Sequence, residues 1–535
     1  MPLSEIRPQG VYQTPLFSLQ PPVRESDVGK FDPKKYALLT AGFLGVSVPL
    51  ILWGRPRSLR VVAESELLKA ALAKVNPKQI GEDVAYLASD ALEGRGTPSE
   101  GLTKAGQHVI ARLEKLGWQP GGPAGYEYKY KLWRAGLDSR RTAVHLRFRG
   151  QRMGLKFGED YYYRSLTRTQ GPIDFHLPTK ESLVYAGSGR KADLSKINVR
   201  GKWLVCDDVG LPASERRRNA IEAGALGLLM LPPKGKLDPR YLKALETGLE
   251  TAKSRGEVIY SPHHPIDEVV LSPEAANRVR QKMGNQLGSV TMGGGVPIQV
   301  GRRPVRIGLT RIGAAPTGSV REIEASNYVG FFPGSDPELS KEVVIISAHL
   351  DHLGKRMGRI YPGADDNASG SSALLALAEA IPELKPKRSI LLLWTTGEEL
   401  GLLGSEAWVR NPWLPGGRRA VANINIDMVG RNAAEELLMT PTSRLGEHYN
   451  GISRRIEQTA SQEGILRLRS ADQYWERSDH YPFASRLKIP VAFITNDTHP
   501  DYHRPTDIAA KIEPELIALR TRLVVRVLDD LRGEI

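Results

Sequence analysis

The sequence predicts an α/β protein with a mixed central sheet and helices on both faces. Its hydrophobic fraction of 41% and charged fraction of 25% are ordinary for a globular chain. From residue 341 onward, apolar strand-like runs alternate with helical patterns, which is the order of a layered α/β domain. Four of these strands lead into a His, Asp or Glu, and open α/β sheets bind ligands beyond the carboxyl ends of their strands.

The predicted elements follow the hydrophobic periodicity along the chain. Residues 62–86 and 100–117 have helical periodicity, and short alternating strands such as AVHLRFRG follow between about 125 and 180. In the second half an amphipathic helix is expected at 369–381, and buried strands are expected at 342–348, 389–396, 420–426 and 489–495.

The chain divides into five segments. Residues 1–35 are rich in Pro, Gln and Ser and are expected to lack fixed structure. Residues 36–53 are expected to be a membrane anchor or signal segment. The main domain is predicted in two parts, 62–180 and 301–535, with a small α/β insert at 181–300 between them. The insert contains a strand, a helix and a second strand, and the Gly-rich MGGGVPI marks its end.

Residues 36–53 have no charge and are bracketed by Tyr36 and Trp53. Eighteen residues are just enough to cross the hydrocarbon core, and aromatic residues suit its interfaces. A buried core helix or a signal-peptide segment is the alternative. We expect a membrane-anchored protein with its catalytic domain outside the cytoplasm, or else a secreted one. Basic residues are balanced on the two sides, so they do not predict the orientation.

Charge and cysteine content limit the other functions. The net charge is +14, but the basic residues are scattered and no aromatic-interleaved basic motif accompanies them, so no nucleic-acid partner is expected. The single cysteine, Cys206, excludes an intrachain disulfide and a site built from several cysteines.

Acidic residues and histidines follow the predicted strands of the second half. The candidates are His349 and Asp351 in AHLDH, Asp365 and Asp366 in PGADDNASG, Glu398 and Glu399 in TTGEELG, Asp427 in NIDMVG and His503 in DYHRPTD. Two imidazoles with several carboxylates and no thiolate suit zinc, and cobalt or manganese less specifically. One carboxylate can bridge two metal ions about 3.5–4 Å apart.

The order of these motifs resembles that of the di-zinc aminopeptidases and their relatives, metallopeptidase family 28. The resemblance covers roughly 76–535 and includes SNYVGFFPGSD, RSDHYPFA and SDALEGRGTPSEG. It implies the zinc-exopeptidase (phosphorylase/hydrolase-like) fold. The insert, with VYAGSG and NAIEAGALGLL, resembles a protease-associated domain. One departure is Arg504 after His503, where the family more often has Thr; we expect it to alter the rim and keep the ligand.

The resemblance implies two zinc ions per chain, with Co²⁺ or Mn²⁺ as substitutes. His349, Asp366 and Asp427 would hold one ion, and Asp366, Glu399 and His503 the other. Asp366, the second Asp of GADD, would bridge the two ions. Asp351 would lie behind His349 and fix its tautomer.

The two adjacent glutamates are expected to differ in role. In an extended chain neighbouring side chains point to different sides, so we expect the two to do different jobs. The resemblance implies that Glu399 binds metal and that Glu398 is the general base. Tyr502 is a candidate oxyanion donor, or a packing residue, and Arg477 a candidate substrate contact, or a surface arginine. Asp472 and Glu476 are candidates to meet a free α-amino group. Three nearby histidines are interpreted as supporting or surface residues: His352, His480 and His499.

The predicted function is therefore a zinc-dependent exopeptidase acting on peptides, with aminopeptidase as the leading interpretation. A carboxypeptidase of the glutamate-carboxypeptidase kind is the first alternative, since its relatives also carry a protease-associated domain and an N-terminal anchor. A non-catalytic, receptor-like relative is the second. The side-chain preference and the oligomeric state are not predicted.

Overall fold

The structure, a computed structural model, describes residues 64–531 except for several short gaps. The gaps are 137–142, 149–150, 166–182, 212, 238, 256, 261–265, 284–306, 314–320 and 357. The proposed anchor at 36–53 lies outside the described residues, and so does the segment 1–35. None of the helices that are described combines the length and apolar character needed to cross a membrane.

The described helices belong to the main domain and to the predicted insert. Among the described residues they are α1 (Glu66–Lys74), α2 (Pro77–Leu87), α3 (Glu100–Lys115), α4 (Lys191–Leu194), α5 (Ala213–Glu222), α6 (Pro239–Arg255), α7 (Pro273–Met283), α8 (Gly370–Leu384), α9 (Leu403–Arg410), α10 (Gly451–Thr459), α11 (His480–Pro482) and α12 (Pro514–Asp530), of which α4 to α7 belong to the insert. Ser65, Asn76, Ser99 and Asn450 accept backbone N–H bonds at the starts of α1, α2, α3 and α10, as N-cap residues do.

The strands form two large sheets and one small hairpin. In chain order the described strands are β1 (Gln119–Pro120), β2 (Glu127–Gly136), β3 (Ala143–Phe148), β4 (Gln151–Lys156), β5 (Tyr161–Ser165), β6 (Leu183–Tyr185), β7 (Trp203–Asp207), β8 (Gly227–Leu231), β9 (Glu257–Tyr260), β10 (Asp267–Leu271), β11 (Ile307–Gly313), β12 (Arg321–Phe332), β13 (Glu342–His349), β14 (Gly354–Arg356), β15 (Arg359–Tyr361), β16 (Ser389–Thr395), β17 (Arg419–Ile426), β18 (Glu436–Thr440), β19 (Arg467–Ser470) and β20 (Val491–Thr495).

The main sheet has the order β19-β18-β20-β17-β13-β16-β12-β2-β9, with β1 added beside β12. Its centre is parallel, because β13 pairs in parallel with β16 and β17, and β17 with β20. Antiparallel pairs flank this centre at β12–β16 and β18–β20. The predicted mixed sheet is confirmed, and the four strands of its parallel centre all end at one edge.

Helices cover both faces of the main sheet, as predicted. Along β13, Val344 and Ile346 pack on one face into the cluster that contains α1, α2, α3, α8, α10 and α12. Val343 and Ile345 point to the other face, where they pack with Trp408 of α9 and its neighbours. This two-residue alternation is the geometry of a strand buried on both sides.

The second sheet has the order β4-β3-β11-β6-β7-β8-β10-β5 and its own buried clusters. Its strands therefore run from 143 to 313, beyond both ends of the predicted insert at 181–300. Strands β3, β4 and β5 fall within the range predicted for the first part of the main domain. One strand of this region, β9, pairs with β2 at the edge of the main sheet.

Candidate metal centre

The parallel strands of the main sheet carry the candidate residues to one edge. His349 is the last residue of β13, and Asp427 directly follows β17. Glu398 and Glu399 lie in a short turn three residues beyond β16, and His503 lies in the loop after β20. Asp366 lies in the turn that leads into α8. The chain thus gathers residues separated by more than 150 positions.

The first group of donor atoms contains His349, Asp366 and Asp427. The Nε2 atom of His349 lies 3.2 Å from Oδ1 of Asp366 and 3.2 Å from Oδ1 of Asp427. The three donor atoms lie within 4.8 Å of one another. His349 is 1% exposed, so this imidazole faces the two carboxylates in a water-poor setting.

The second group of donor atoms lies around the other oxygen of Asp366. Nε2 of His503 is 3.0 Å from Oδ2 of Asp366 and 3.3 Å from Oε2 of Glu399. The two oxygens of Asp366 therefore face two different sets of donors, which is the arrangement of a bridging carboxylate. Imidazole and carboxylate donors converging in this way fit a zinc centre.

His352 also contacts the second group, which sequence reasoning missed. Its Nδ1 atom lies 2.8 Å from Oε1 of Glu399 and 3.7 Å from Oδ2 of Asp366, and its side chain is fully buried. The signal available in the sequence was its place three residues after His349 in AHLDH. The sequence does not reveal the direction of the chain after β13, and that direction carries His352 back to the centre.

Two glycines with left-handed backbones shape the turns at the centre. Gly397 has φ +72, and a Cβ there would lie 2.9 Å from the Tyr130 hydroxyl. Gly363 has φ +59, and a Cβ there would lie 2.4 Å from Cγ of His352. The turn after Gly397 corrects our expectation of an extended chain at Glu398 and Glu399: these residues form a helical turn. The two side chains nevertheless diverge, since Glu399 contacts the histidines and Glu398 faces the neighbouring cavity.

Hydrogen bonds from neighbouring residues hold the acidic side chains of the site in place. The Ser478 hydroxyl donates to Oδ2 of Asp427 at 2.7 Å, and Asn425 donates to that hydroxyl at 2.8 Å. The Asp351 carboxylate accepts from the Thr97 hydroxyl at 2.8 Å and from the Glu398 N–H at 3.3 Å.

Asp351 lies beside His349, as expected, but its backbone is the nearer group. Its carbonyl oxygen is 3.1 Å from Nδ1 of His349, whereas its carboxylate oxygen is 3.8 Å away. Asp365, the other aspartate of the pair in GADD, accepts from the Gly430 N–H at 2.7 Å and from Asn496 at 3.0 Å. Asp365 therefore supports the turn that carries Asp366.

The part of the chain that contains the candidate metal ligands matches a known peptidase family. Residues 327–528 match the profile of Peptidase family M28. This part of the chain is an M28 peptidase domain. All five predicted metal ligands and Glu398 lie within the matched range.

Curated proteins similar to the M28 domain are peptidases. A probable leucine aminopeptidase of Arthroderma otae is 29% identical over 200 residues, which is 35% of this chain and 54% of that protein. A probable glutamate carboxypeptidase of Arthroderma benhamiae is 38% identical over 122 residues, covering 22% of this chain and 15% of the relative. The chain thus spans about half of the first relative, 54%, and far less of the second.

The fold extends beyond the M28 domain. The solved aminopeptidase of Aneurinibacillus sp. strain AM-1 superposes with a TM-score of 0.54 at 18% identity. The alignment covers 86% of this chain and 95% of that structure. The zinc-exopeptidase fold predicted from the sequence is therefore confirmed for most of the chain.

Electrostatics separates the two adjacent glutamates of the M28 domain. Burial raises the pKa of the Glu398 carboxyl well above its usual range; the charge of His349 opposes this shift and that of Glu399 adds to it. Burial would also raise the pKa of Glu399, but the nearby His503 and His352 outweigh it and the pKa falls below its usual range. Neighbouring carboxyls whose pKa values move apart are typical of an acid–base group beside a group that stays charged.

The pKa values of His349 and Asp351 are shifted as well. Burial alone would lower the pKa of His349, but the charges of Asp427 and Glu398 raise it well above its usual value. Burial raises the pKa of Asp351 to about 7. Crowded carboxylates share protons unless cations balance them, so the centre is suited to dications.

A cavity opens beside the metal centre. Its lining includes Asp366, Glu398, Asp427, Tyr502 and Arg477. The Tyr502 ring stacks on the ring of His503 with centroids 3.9 Å apart. Arg477 lies over the Tyr474 ring at 5.4 Å. Tyr502 and Arg477 are thus within the cavity next to Glu398, where a substrate would lie.

Asp472 is already used by other partners, which argues against its predicted role. Its oxygens accept from the hydroxyl of Thr440 at 2.7 Å and from the hydroxyl and N–H of Thr442. Asp472 also lies outside the residues that line the cavity. These bonds hold the loop after β18, and the contact of Asp472 with a substrate α-amino group stays a prediction.

Glu476 also lies outside the residues that line the cavity, which argues against the same predicted role for this residue. Burial raises the pKa of its carboxyl, opposed by a hydrogen bond with Tyr481 and by the charge of Arg218. Arg218 belongs to α5 of the second sheet region and donates to the Tyr481 hydroxyl at 3.1 Å. Glu476 therefore takes part in the contact between the insert and the M28 domain.

Proposed function

We propose that this chain is an exopeptidase dependent on two zinc ions and that it acts as an aminopeptidase. The observation that carries the proposal is the position of Asp366, whose two oxygens face two groups of donors beside Glu398. The M28 match and relatives named as leucine aminopeptidases support the choice of reaction.

The residues around Asp366 would divide the work of holding zinc. His349 and Asp427 would hold one ion with Asp366, and Glu399 and His503 the other. When bound, the zinc ions would act as Lewis acids and lower the pKa of water from 15.7 to roughly 7.

Glu398 would act as the general base and acid. Its carboxylate would accept a proton from the attacking water and deliver it to the nitrogen of the leaving amine. The position of Glu398 on the cavity wall, without an ion-pair partner within 4.0 Å among the described residues, supports this role. Glu399 is paired with two histidines, so its carboxylate would be less free to transfer a proton.

Tyr502 and Arg477 would act on the substrate. The Tyr502 hydroxyl would donate to the oxyanion that forms at the carbonyl carbon, because a positioned donor stabilises that developing charge. Arg477 would contact a carbonyl or carboxylate of the peptide, since a guanidinium binds such oxygens well. Both side chains line the same cavity as Glu398.

The insert and the N-terminal segment complete the proposal. The region of the second sheet would be a protease-associated domain that shapes access to the cavity, supported by the Arg218–Tyr481 contact at 3.1 Å. Residues 36–53 would anchor the chain in a membrane with the peptidase outside the cytoplasm, supported by 18 uncharged residues.

A carboxypeptidase of the glutamate-carboxypeptidase kind is the second candidate. Arg477 in the cavity favours it, because an arginine suits a free substrate carboxylate. The engagement of Asp472 and Glu476 elsewhere also removes two candidate partners for a free α-amino group.

A panel of matched peptides separates these functions. The zinc-loaded chain is assayed with one peptide in four forms: free at both ends, acetylated, amidated, and blocked at both ends. An aminopeptidase cleaves the free and the amidated forms and cleaves neither form whose amino end is blocked. Cleavage of the free and the acetylated forms, but of neither form whose carboxyl end is blocked, would replace the proposal with the carboxypeptidase. A zinc-loaded protein that cleaves no peptide in a broad library would indicate a receptor-like relative.

A further inference from the structure

The imidazole of His352 is fully buried without a hydrogen-bond partner. Neither of its ring nitrogens has one among the described residues, and neither does Oε1 of Glu399. Yet Nδ1 of His352 lies only 2.8 Å from that oxygen. The two atoms are close, but the N–H direction does not point at the oxygen.

Buried polar atoms are rarely left without a partner, because desolvation makes this unfavourable. A cation lying off the line between two lone pairs would satisfy both atoms at once. The third nearby donor is Oδ2 of Asp366, 3.7 Å from the same nitrogen. The atoms of these three residues lie within 4.8 Å of one another.

We propose that Nδ1 of His352 is a further ligand of the zinc ion on the Glu399 side of Asp366. This inference rests on the proposed function, because it assumes that zinc is the resident cation. It gives that ion four protein ligands: Asp366, Glu399, His503 and His352. The ion on the other side keeps three ligands, from His349, Asp366 and Asp427.

This asymmetry assigns different properties to the two ions. Zinc sites closed by four protein ligands are structural in character, whereas three ligands leave a position open for water or substrate. The ion at His352 is therefore the tightly held one. The ion at His349 is the exchangeable one and lies nearer to the chemistry.

The fold holds His352 in this position. Its backbone N–H donates to the Arg95 carbonyl at 3.1 Å, and its ring lies 5.6 Å from the ring of His503 in an edge-on contact. Gly363 leaves room for the ring, since a Cβ there would come within 2.4 Å of it. A ring fixed by backbone and neighbours presents Nδ1 to the carboxylates of Glu399 and Asp366.

His480 is the matched control within the same domain. It too is fully buried with both ring nitrogens unpartnered among the described residues. Its ring, however, stacks on Phe493 with centroids 4.8 Å apart and faces aromatic neighbours. Replacing each histidine by Phe therefore removes a buried imidazole from a carboxylate setting in one case and from an aromatic setting in the other.

The experiment measures zinc affinity and histidine ligation of His352→Phe, His480→Phe and wild type. Competition with a chelator gives the two dissociation constants, and X-ray absorption gives the number of histidines per zinc. We expect His352→Phe to weaken the tighter ion by more than about 100-fold, beyond the 10- to 100-fold typical of a supporting residue. Wild type should show three histidines shared by two ions, and the variant two.

An unchanged histidine count in His352→Phe overturns the inference, and so does equal weakening in His480→Phe. His352→Asn, which is smaller, replaces the Phe variant if the latter does not fold. Fewer than two zinc ions in wild type would contradict the proposed function instead. In that case the histidine count of the remaining ion still decides the role of His352.

Discussion

The two sheets of this protein both carry paired acids just beyond a parallel strand, but they neutralise them differently. In the second sheet β7 ends at Asp207, and Asp208 follows. Arg280 lies 2.6 Å from Asp207, and Arg216 lies 2.7 Å from Asp208. Arg216 is only 1% exposed. Each acid therefore has a fixed guanidinium partner.

The acids at the ends of the main-sheet strands have a different kind of ion-pair partner. The ion pairs within 4.0 Å that the described residues form with Asp366, Asp427 and Glu399 are all with histidines. Burial would raise the pKa of Asp208, but Arg164 and Arg216 bring it below its usual value, and His503 and His352 do the same for the pKa of Glu399. The pKa of Glu398, which burial raises, is well above its range.

The contrast distinguishes a structural cluster from a metal site. A guanidinium stays charged and bound, so an acid paired with arginine is not available to a metal ion. An imidazole can give up its proton and become a metal ligand. The motif of two acids after a strand thus predicts a metal centre only where histidines supply the partners.

The largest expected effect separates Glu398 from Glu399 within the main-sheet cluster. Glu398→Gln removes the general base, so we expect hydrolysis to fall by roughly 10²–10⁴-fold with zinc retained. Glu399→Gln removes a ligand with two histidine partners, so we expect loss of zinc. Metal analysis and peptide hydrolysis on both variants check this. Equal loss of zinc from the two would contradict the division of roles.

A pair of aspartate variants compares the two sheets directly. Asp208→Asn leaves the buried Arg216 guanidinium without its charge partner, so we expect unfolding free energy to fall by about 3–5 kcal/mol with zinc binding unchanged. Asp427→Asn should weaken zinc binding without a comparable loss of stability in the zinc-free protein. Urea unfolding with and without zinc measures both. A stability loss from Asp427→Asn that matches the one from Asp208→Asn would remove the distinction.

The smallest expected effect on stability concerns His480, a buried histidine that belongs to neither acid cluster. Burial lowers its pKa from 6.5 to about 3. Between these values the unfolded chain binds a proton that the folded chain does not, so His480 lowers stability as the pH falls below 6.5. At pH 5 this amounts to about 2 kcal/mol. His480→Phe should therefore lose less stability than wild type between pH 7 and pH 5 in urea unfolding.

The core of the main sheet could be predicted because it depends on local patterns. The apolar runs that became β13 and β17 match the predicted strands to within one residue. The positions of the proposed ligands followed from motifs at the ends of these strands. His349 and Asp427 could therefore be identified from the sequence before their contact was known.

The features that depend on distant contacts could not be predicted. Asp472 is held by Thr440 and Thr442, and Glu476 by contacts from the insert, which no local pattern reveals. The sequence predicts short strands between about 125 and 180, but the pairing of β3 with β11 decides which sheet β3 and β4 join. His352 was missed for the same reason, since the bend after β13 is set by packing against Arg95 and Gly96.

The most direct test of the central claim is a zinc-edge anomalous difference map from crystals of the zinc-loaded protein. The account predicts two peaks about 3.5–4 Å apart on either side of Asp366, one beside His349 and one beside His503, and none at Asp207 or Asp208. A single peak, or none at Asp366, would contradict it.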